Sequence, residues 1–226
     1  MEECISVFDM LKIGVGPSSS HTLGPWRAAE RFLEELRQDF DLNSITRVKV
    51  DLYGSLSLTG KGHATDLAVM LGLSGQDPEY IPVQDIDGII KAIENNHLIQ
   101  LGNEKALPFY ILQDIVFHKE FLPFHANGLT FTAFFENETE YASTFYSIGG
   151  GFVVKEERSN AKKKIAIKCA FPFPINNAAE LLDYTQKENK SISEIVYANE
   201  ISMRPEAEVH SELLRIWHTM LECMYI

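Results

Sequence analysis

Three glycine-flanked turns carry the side chains of this chain that could do chemistry. The first, residues 16–25 (GPSSSHTLGP), places four hydroxyl groups and one imidazole in a row. The residues that follow have apolar side chains at helical spacing, so the run is expected at a helix N-terminus, where N–H groups favour anions. Its hydroxyl groups could bind a carboxylate or a phosphate. The alternative is a capping loop that serves only its own helix.

The other two turns add imidazoles. Residues 54–66 combine three glycines with Lys61 and His63, and residues 121–128 carry His125 and Asn127. Histidine transfers protons near neutral pH, and a small-molecule site needs polar groups that converge. The histidines outside these turns lack such a context and are interpreted as structural or solvated: His97, His118, His210 and His218.

Residues 45–66 also resemble a P-loop, since a strand, a glycine turn with a lysine and a helix follow one another. Lys61 is not followed by Ser or Thr, however, and the glycine spacing differs from the motif. These differences exclude a nucleotide-binding P-loop.

Hydrophobic periodicity indicates the elements that position the turns. Helices are predicted over residues 25–40, 63–72, 85–96, 178–188 and 192–202, and from Pro205 onwards; strands are predicted over residues 45–53, 110–117, 129–135, 141–148 and 152–155. In the first strand Val48, Val50 and Leu52 should face inwards, and Arg47, Lys49 and Asp51 outwards.

The arrangement of these elements predicts an α+β fold, with a mixed β-sheet of four or five strands, helices packed on one face, and a helical segment after it. Residues 149–151 (GGG) should break a strand, as a bulge, a close backbone contact or a flexible hinge, with residues 152–155 continuing beyond. The last helix is still amphipathic at Ile226 without a C-cap, so we expect the chain to be cut short.

Composition excludes several classes of protein. The chain has 226 residues, of which 45% are hydrophobic and 23% charged, which is typical of a globular protein. A net charge of −12 argues against binding nucleic acid or anionic membranes, and no apolar run could span a bilayer. Cys4, Cys169 and Cys223 show neither disulfide nor metal-ligand spacing, so we expect reduced thiols, a cytoplasmic location and no metal bound by this chain.

Several segments together resemble the iron–sulfur-dependent L-serine dehydratases of bacteria. Residues 6–22 (SVFDMLKIGVGPSSSHT) resemble the opening of that family, residues 54–66 (GSLSLTGKGHATD) its second motif, and residues 149–152 (GGGF) its strand-edge glycines. Residues 194–224 resemble the first helices of its catalytic α domain.

The resemblance implies three regions. A serine dehydratase β-type domain is expected over residues 1–158, a linker over 159–176, and the N-terminal helices of a truncated catalytic α domain over 177–226.

The resemblance also implies an L-serine ammonia-lyase, which converts L-serine to pyruvate and ammonia, and a [4Fe–4S] cluster that acts as a Lewis acid in the complete enzyme. His63 and His125 would be the catalytic proton-transfer residues. A further set of residues would bind the substrate: some would hold its carboxylate or the domain interface, and the others would orient these residues. The set is Ser18, Ser19, Ser20, His21, Thr22, Lys61, Thr65, Asp66 and Asn127.

The cysteines that bind the cluster belong to the family's α domain, and the cysteines of this chain do not match them. The fragment alone is therefore expected to hold no cluster and to be inactive. Its expected partners are L-serine, the catalytic α domain and a second copy in a homodimer, with no nucleic acid and no membrane.

Two other functions stay open. The β domain also resembles the serine-associated regulatory domain of some phosphoglycerate dehydrogenases, so the chain could be a non-catalytic domain that binds a small carboxylate such as serine. A purely structural dimerisation module is the third hypothesis. The sequence does not decide between serine and threonine as the preferred substrate.

Overall fold

The computed structural model describes residues 5–156 and 171–225, and the backbone alone at residue 61. Cys4, Cys169, the side chain of Lys61 and most of the predicted linker lie outside the described residues. The chain divides into two compact units. We call Gly14–Ser159 the sheet unit, and Met1–Ile13 together with Asn160–Ile226 the helical unit. The domain limits expected from the sequence stay a prediction.

Helices and strands are mixed in the first part of the chain, and the described elements at its end are all helices. The helices are Val7–Met10 (α1), Leu23–Asp39 (α2), Ser55–Leu58 (α3), Thr65–Leu73 (α4), Val83–Asn96 (α5), Ile111–Asp114 (α6), Ala178–Glu188 (α7), Ile192–Ile201 (α8) and Glu206–Met224 (α9). The strands are Ile45–Leu52 (β1), Leu98–Leu101 (β2), Lys105–Pro108 (β3), Ile115–Phe117 (β4), Gly128–Phe135 (β5), Glu140–Gly149 (β6) and Phe152–Lys155 (β7). None of these helices combines the length and apolarity needed to cross a membrane.

Five strands form a mixed sheet in the order β4-β1-β5-β6-β7, and β2 pairs with β3 separately. β1 and β4 are parallel, whereas the other neighbours in the sheet are antiparallel. The fold class is therefore α+β with a mixed sheet, as predicted.

The core lies between one face of this sheet and helix α2. Phe32 of α2 stacks on Phe131 of β5 with the ring centroids 5.1 Å apart, and both side chains are completely buried. Val48 and Val50 of β1 lie opposite Ala133 and Phe131 in the sheet register, so the predicted inward face of β1 is confirmed.

Asp51 differs from the expectation for an outward-facing residue, because its side chain is buried. Its Oδ1 atom accepts hydrogen bonds from Lys49 Nζ at 2.7 Å and from His118 Nε2 at 2.6 Å. These two partners satisfy the carboxylate, which therefore tolerates burial on the second face of the sheet.

The strand predicted over residues 110–117 was wrong in its first half. Residues 111–114 form the short helix α6, and only residues 115–117 are extended. The buried Asp114 carboxylate accepts a hydrogen bond from Tyr110 N at 2.7 Å and from Arg47 Nε at 2.6 Å. These contacts turn the chain, and the one from Arg47 comes from 67 positions away.

The three consecutive glycines break the strand, as predicted. The chain does not continue in the same direction after them, however, but reverses. Gly149, Gly150 and Gly151 have φ angles of 104°, 59° and 78°, which lie in the region that favours glycine. β7 therefore folds back and pairs antiparallel with β6, with a register shift between Ser147 and Gly149. This shift fits the bulge, one of the alternatives considered.

The helical unit begins with the N-terminal segment. The buried carboxylate of Glu200 accepts hydrogen bonds from Ser6 Oγ and Val7 N, both at 2.7 Å, and from Arg204 Nη1 at 3.0 Å. Ser6 in turn caps α1. Asn177 caps α7 and Ser191 caps α8, each followed three residues later by a glutamate, as in a capping box.

Candidate functional site

The sheet topology brings the three predicted turns to one edge of the sheet unit. We call residues 16–22 the hydroxyl loop, residues 54–66 the histidine turn and residues 119–127, which include most of the third predicted turn, the His125 loop. The histidine turn follows β1 and the His125 loop follows β4, and parallel strands have their carboxyl ends at the same edge. The hydroxyl loop precedes helix α2.

The imidazole of His21 joins the hydroxyl loop to the histidine turn. Its Nδ1 atom lies 2.9 Å from Ser20 Oγ, and its Nε2 atom lies 3.0 Å from Ser55 Oγ. Ser18 Oγ lies 3.3 Å from Ser20 Oγ, and the His63 ring centroid lies 5.0 Å from that of His21. Three hydroxyl groups and two half-buried imidazoles therefore form one continuous cluster.

The neutral tautomer of His63 follows from its hydrogen bond. Its Nδ1 atom lies 2.9 Å from the carbonyl oxygen of Thr59, which can only accept. Nδ1 therefore carries the proton, and Nε2 of the neutral ring carries the lone pair.

His125 has the opposite arrangement. The backbone N–H of Asn127 donates to His125 Nδ1 at 3.1 Å, so this nitrogen is an acceptor. In the neutral ring the proton then lies on Nε2, which makes that atom a hydrogen-bond donor.

His21 lies in an environment that favours the neutral ring. Desolvation by burial lowers its pKa, and the positive charge that His63 carries when protonated lowers it further. A hydrogen bond with the backbone of Ser55 acts in the opposite direction. His21 should therefore be uncharged at neutral pH and hold the hydroxyl groups of Ser20 and Ser55 as a neutral bridge.

Backbone hydrogen bonds fasten the His125 loop to the histidine turn. Gly54 N donates to Glu120 O, and Ser55 N donates to Ala126 O, both at 2.8 Å. Gly54 has a φ of 55°, and a Cβ atom there would overlap Ala126 O. Only glycine therefore allows this close approach of the two turns.

The hydroxyl loop differs from the predicted anion site in its backbone. Helix α2 begins at Leu23 rather than Pro25. The N–H groups of His21 and Thr22 donate to Ser18 O, and that of Gly24 donates to Ser19 O, at distances of 2.8–3.0 Å. These three donors are used within the loop and are not available to a ligand.

Three of the predicted substrate-binding residues have structural partners. Thr22 Oγ1 donates to Ser18 O at 2.6 Å, and the buried Thr65 Oγ1 donates to His21 O at 2.8 Å. Asp66 Oδ1 accepts from Leu67 N at 3.0 Å, at the start of its own helix. Thr65 thus positions the His21 backbone, whereas Ser19 is exposed.

Asn127 is buried, and its Nδ2 atom donates to the carbonyl oxygen of Ser147 at 3.1 Å. Ser147, which lies within a strand, was not among the predicted site residues, and neither was Ser55. Ser55 had a signal, because it follows Gly54 in a motif. Ser147 had none, because its role depends on contacts with residues far away in the chain.

The described residues do not contain a group of three or more His, Cys, Asp or Glu side chains that could hold a metal ion. Cys223 is exposed. The part of the chain that the structure describes therefore does not fit a cluster-binding site.

Comparison with known proteins agrees with the motifs. The family described as serine dehydratase beta chain matches residues 6–158. The chain is 40% identical over 221 residues to L-serine dehydratase 1 of Escherichia coli, and 39% identical over 222 residues to L-serine dehydratase of Haemophilus influenzae. Each alignment covers 97% of this chain and 48% of the relative.

A third relative, L-serine dehydratase of Streptomyces coelicolor, is 40% identical over 222 residues, which are 97% of this chain and 49% of the relative. The chain thus spans about half the length of the curated relatives that it matches.

Proposed function

The chain belongs to the serine dehydratase β-chain family, and from this we propose that it is the β part of an L-serine ammonia-lyase of the [4Fe–4S] type, with an incomplete α domain. The observation that carries the proposal is the cluster of Ser18, Ser20, His21, Ser55 and His63, built by the same motifs that carry the family resemblance. The names of the relatives support L-serine as substrate.

In the complete enzyme the cluster would supply Lewis-acid chemistry, with cysteine ligands from outside this chain. The described residues do not provide a ligand set for it. In this proposal the chain binds the substrate and moves protons.

The hydrogen-bonded chain of Ser18, Ser20, the neutral His21 ring and Ser55 would bind the carboxylate of L-serine. Its three internal hydrogen bonds use three of its four protons, so one hydroxyl proton is left to donate to the carboxylate. Ser20 and Ser55 lie at the two nitrogen atoms of the His21 ring, which holds them in place, and Ser18 lies beside Ser20. Hydroxyl groups can donate hydrogen bonds to carboxylate oxygens, and these bonds strengthen when the acceptor is charged.

The two imidazoles would take complementary parts in proton transfer. His63, with its Nε2 lone pair, accepts the α-proton of L-serine. His125, with its proton on Nε2, protonates the departing hydroxyl group, which leaves as water. The resulting aminoacrylate becomes an imine, and addition of water then gives pyruvate and ammonia.

The partners in this proposal are the catalytic α domain and a second copy of the chain. Sedimentation equilibrium of the chain, alone and with the α domain, tests both associations.

A chimera tests the function. This chain would be joined to the part of Escherichia coli L-serine dehydratase 1 that the alignment does not cover, reconstituted anaerobically with iron and sulfide, and assayed for pyruvate. We expect the chimera to be active and this chain alone to be inactive. His63→Ala and His125→Ala should each lower kcat by about a hundredfold or more, because each removes a proton-transfer group.

His97→Ala is the matched control, since His97 lies outside the three turns and stacks on Tyr110. It should leave kcat within a few-fold of the unsubstituted chimera. If His63→Ala changes only the activation kinetics, the regulatory function is correct instead. If Ser20→Ala and His63→Ala both leave activity near normal, the chain is a dimerisation module.

A further inference from the structure

Ser147 in β6 uses each of its polar atoms to connect two of the three turns. Its Oγ atom donates to Ser20 O in the hydroxyl loop at 2.7 Å. Its N–H donates to Asn127 O at 3.0 Å, and its carbonyl oxygen accepts from Asn127 Nδ2 at 3.1 Å. The residue is completely buried, so water does not compete for these bonds.

We call the contacts of Ser147 with Ser20 and Asn127 the joint. The space around the Ser147 hydroxyl group is closely packed. A Cβ atom added to Gly24, in the first turn of α2, would overlap Ser147 Oγ and lie 2.7 Å from Ser147 Cβ. The Ser147 side chain therefore occupies the position that a side chain at residue 24 would need. Helix α2, the hydroxyl loop and β6 meet at this point with no room for adjustment.

Ser143 provides an internal comparison. It lies four positions earlier in β6 and is also buried, yet among the described residues its hydroxyl group has no hydrogen-bond partner. Burial of a serine in this strand does not by itself produce a connection. The three bonds of Ser147 are specific to its place beside both loops.

We propose that Ser147 is a positioning residue, which sets the placement of the hydroxyl loop relative to the His125 loop. The hydroxyl groups that bind the carboxylate and the imidazole that donates the proton come from these two loops, and a single substrate must reach both. This inference rests on the proposed function, because it assigns the joint a purpose in that reaction. Small displacements of such groups cost large factors in rate.

The first test uses the chain itself and does not depend on activity. We would record the imidazole NMR signals of the unsubstituted chain, Ser147→Ala and Ser143→Ala. Ser147→Ala should move the signals of His21 and His125 and leave those of His97, His210 and His218 in place. Ser143→Ala should move none of them. Loss of thermal stability with unmoved His21 and His125 signals would show an ordinary buried hydrogen bond and overturn the proposal.

Asn127→Asp is the second variant, in case Ser147→Ala does not fold. It keeps the size of the side chain but removes the donor to Ser147 O, while the bond from Ser147 Oγ to Ser20 O is retained. It should move the His125 signal and leave that of His21. Movement of both signals, or of neither, would contradict the proposal that Ser147 contacts the hydroxyl loop and the His125 loop through separate hydrogen bonds.

The chimera supplies the kinetic test. Ser147→Ala should lower kcat/KM for L-serine by about tenfold to a hundredfold, with contributions from both kcat and KM, whereas Ser143→Ala should leave both near normal. Normal kinetics for Ser147→Ala would overturn the positioning role. If the unsubstituted chimera has no activity, the proposed function fails, and the NMR comparison still decides whether the joint exists.

Discussion

His21, His63 and His125 differ chemically although each is an imidazole in a glycine-flanked turn. His21 lies between two hydroxyl groups, His63 donates to a carbonyl oxygen, and His125 accepts from a backbone N–H. For His63 and His125 the partner determines which ring nitrogen carries the proton, whereas the two hydroxyl partners of His21 can each donate or accept. The division into a bridge, a proton acceptor and a proton donor therefore arises from single hydrogen bonds.

The lowered pKa of His21 predicts how stability depends on pH. The folded chain holds the pKa below its ordinary value of 6.5, so the unfolded chain binds more protons once the pH falls through that value. The neutral ring stabilises the fold fully above pH 6.5, and this contribution is lost as the pH falls toward the folded pKa. Urea unfolding at several pH values between 8 and 5 should show it.

His21→Asn is the control for this effect, because it removes the titrating group and keeps a polar side chain. The free energy of unfolding of the unsubstituted chain should fall more steeply with decreasing pH than that of the variant. Parallel curves would contradict a lowered pKa at His21.

Two glycines within helices show how elements are packed against each other. Gly72 in α4 lies against α2, and a Cβ atom there would lie 2.7 Å from Ala29 Cβ and 2.8 Å from Trp26 O. Gly88 in α5 is exposed, with open space where its Cβ would be. The same substitution at the two positions therefore tests helix packing against helix propensity.

Gly72→Ala should lower the free energy of unfolding by about 1–3 kcal/mol, because the added methyl group pushes α4 away from α2. Gly88→Ala should raise it by about 0.5–1 kcal/mol, because alanine loses less backbone entropy in a helix. Urea unfolding of both variants at pH 8 measures the difference. Stabilisation by Gly72→Ala would show that the two helices are not in close contact.

On the scale of the whole molecule, the N-terminal residues belong to the helical unit and not to the sheet unit that follows them in the chain. The Glu200 carboxylate accounts for this, since it accepts from Ser6, Val7 and Arg204. Arg204 also lies over the Phe8 ring, 5.0 Å from its centroid. The helical unit is therefore assembled from both ends of the chain.

Glu200→Ala should destabilise the helical unit by about 2 kcal/mol, because hydrogen bonds to a buried charged group are lost. Hydrogen exchange followed by mass spectrometry should become faster in residues 5–13 and in α7–α9, and stay unchanged in β1, β5 and β6. Asp183→Ala is the control, since its ion pair with Lys187 is exposed and should contribute little. Equal acceleration in the sheet strands would contradict two separate units.

Local patterns in the sequence were enough to predict the longer helices and strands. Helices α2, α5, α7, α8 and α9 and strands β1, β5 and β6 follow from the spacing of apolar residues, and the caps at Asn177 and Ser191 from local motifs. These features depend on residues within one or two turns of each other, which a periodicity detects. The motifs also identified the family and the three turns.

The tertiary structure alone decided which residues meet. Ser147 and Ser20 are 127 positions apart, and Arg47 and Asp114 are 67 positions apart. The contact of Arg47 with Asp114 helps to form α6, where a strand was predicted. The hairpin of β2 and β3 was also missed, because its short strands carry too few residues for a clear pattern. Such contacts depend on strand order and register, and these are set by how all the apolar faces pack together, a property that no local spacing contains.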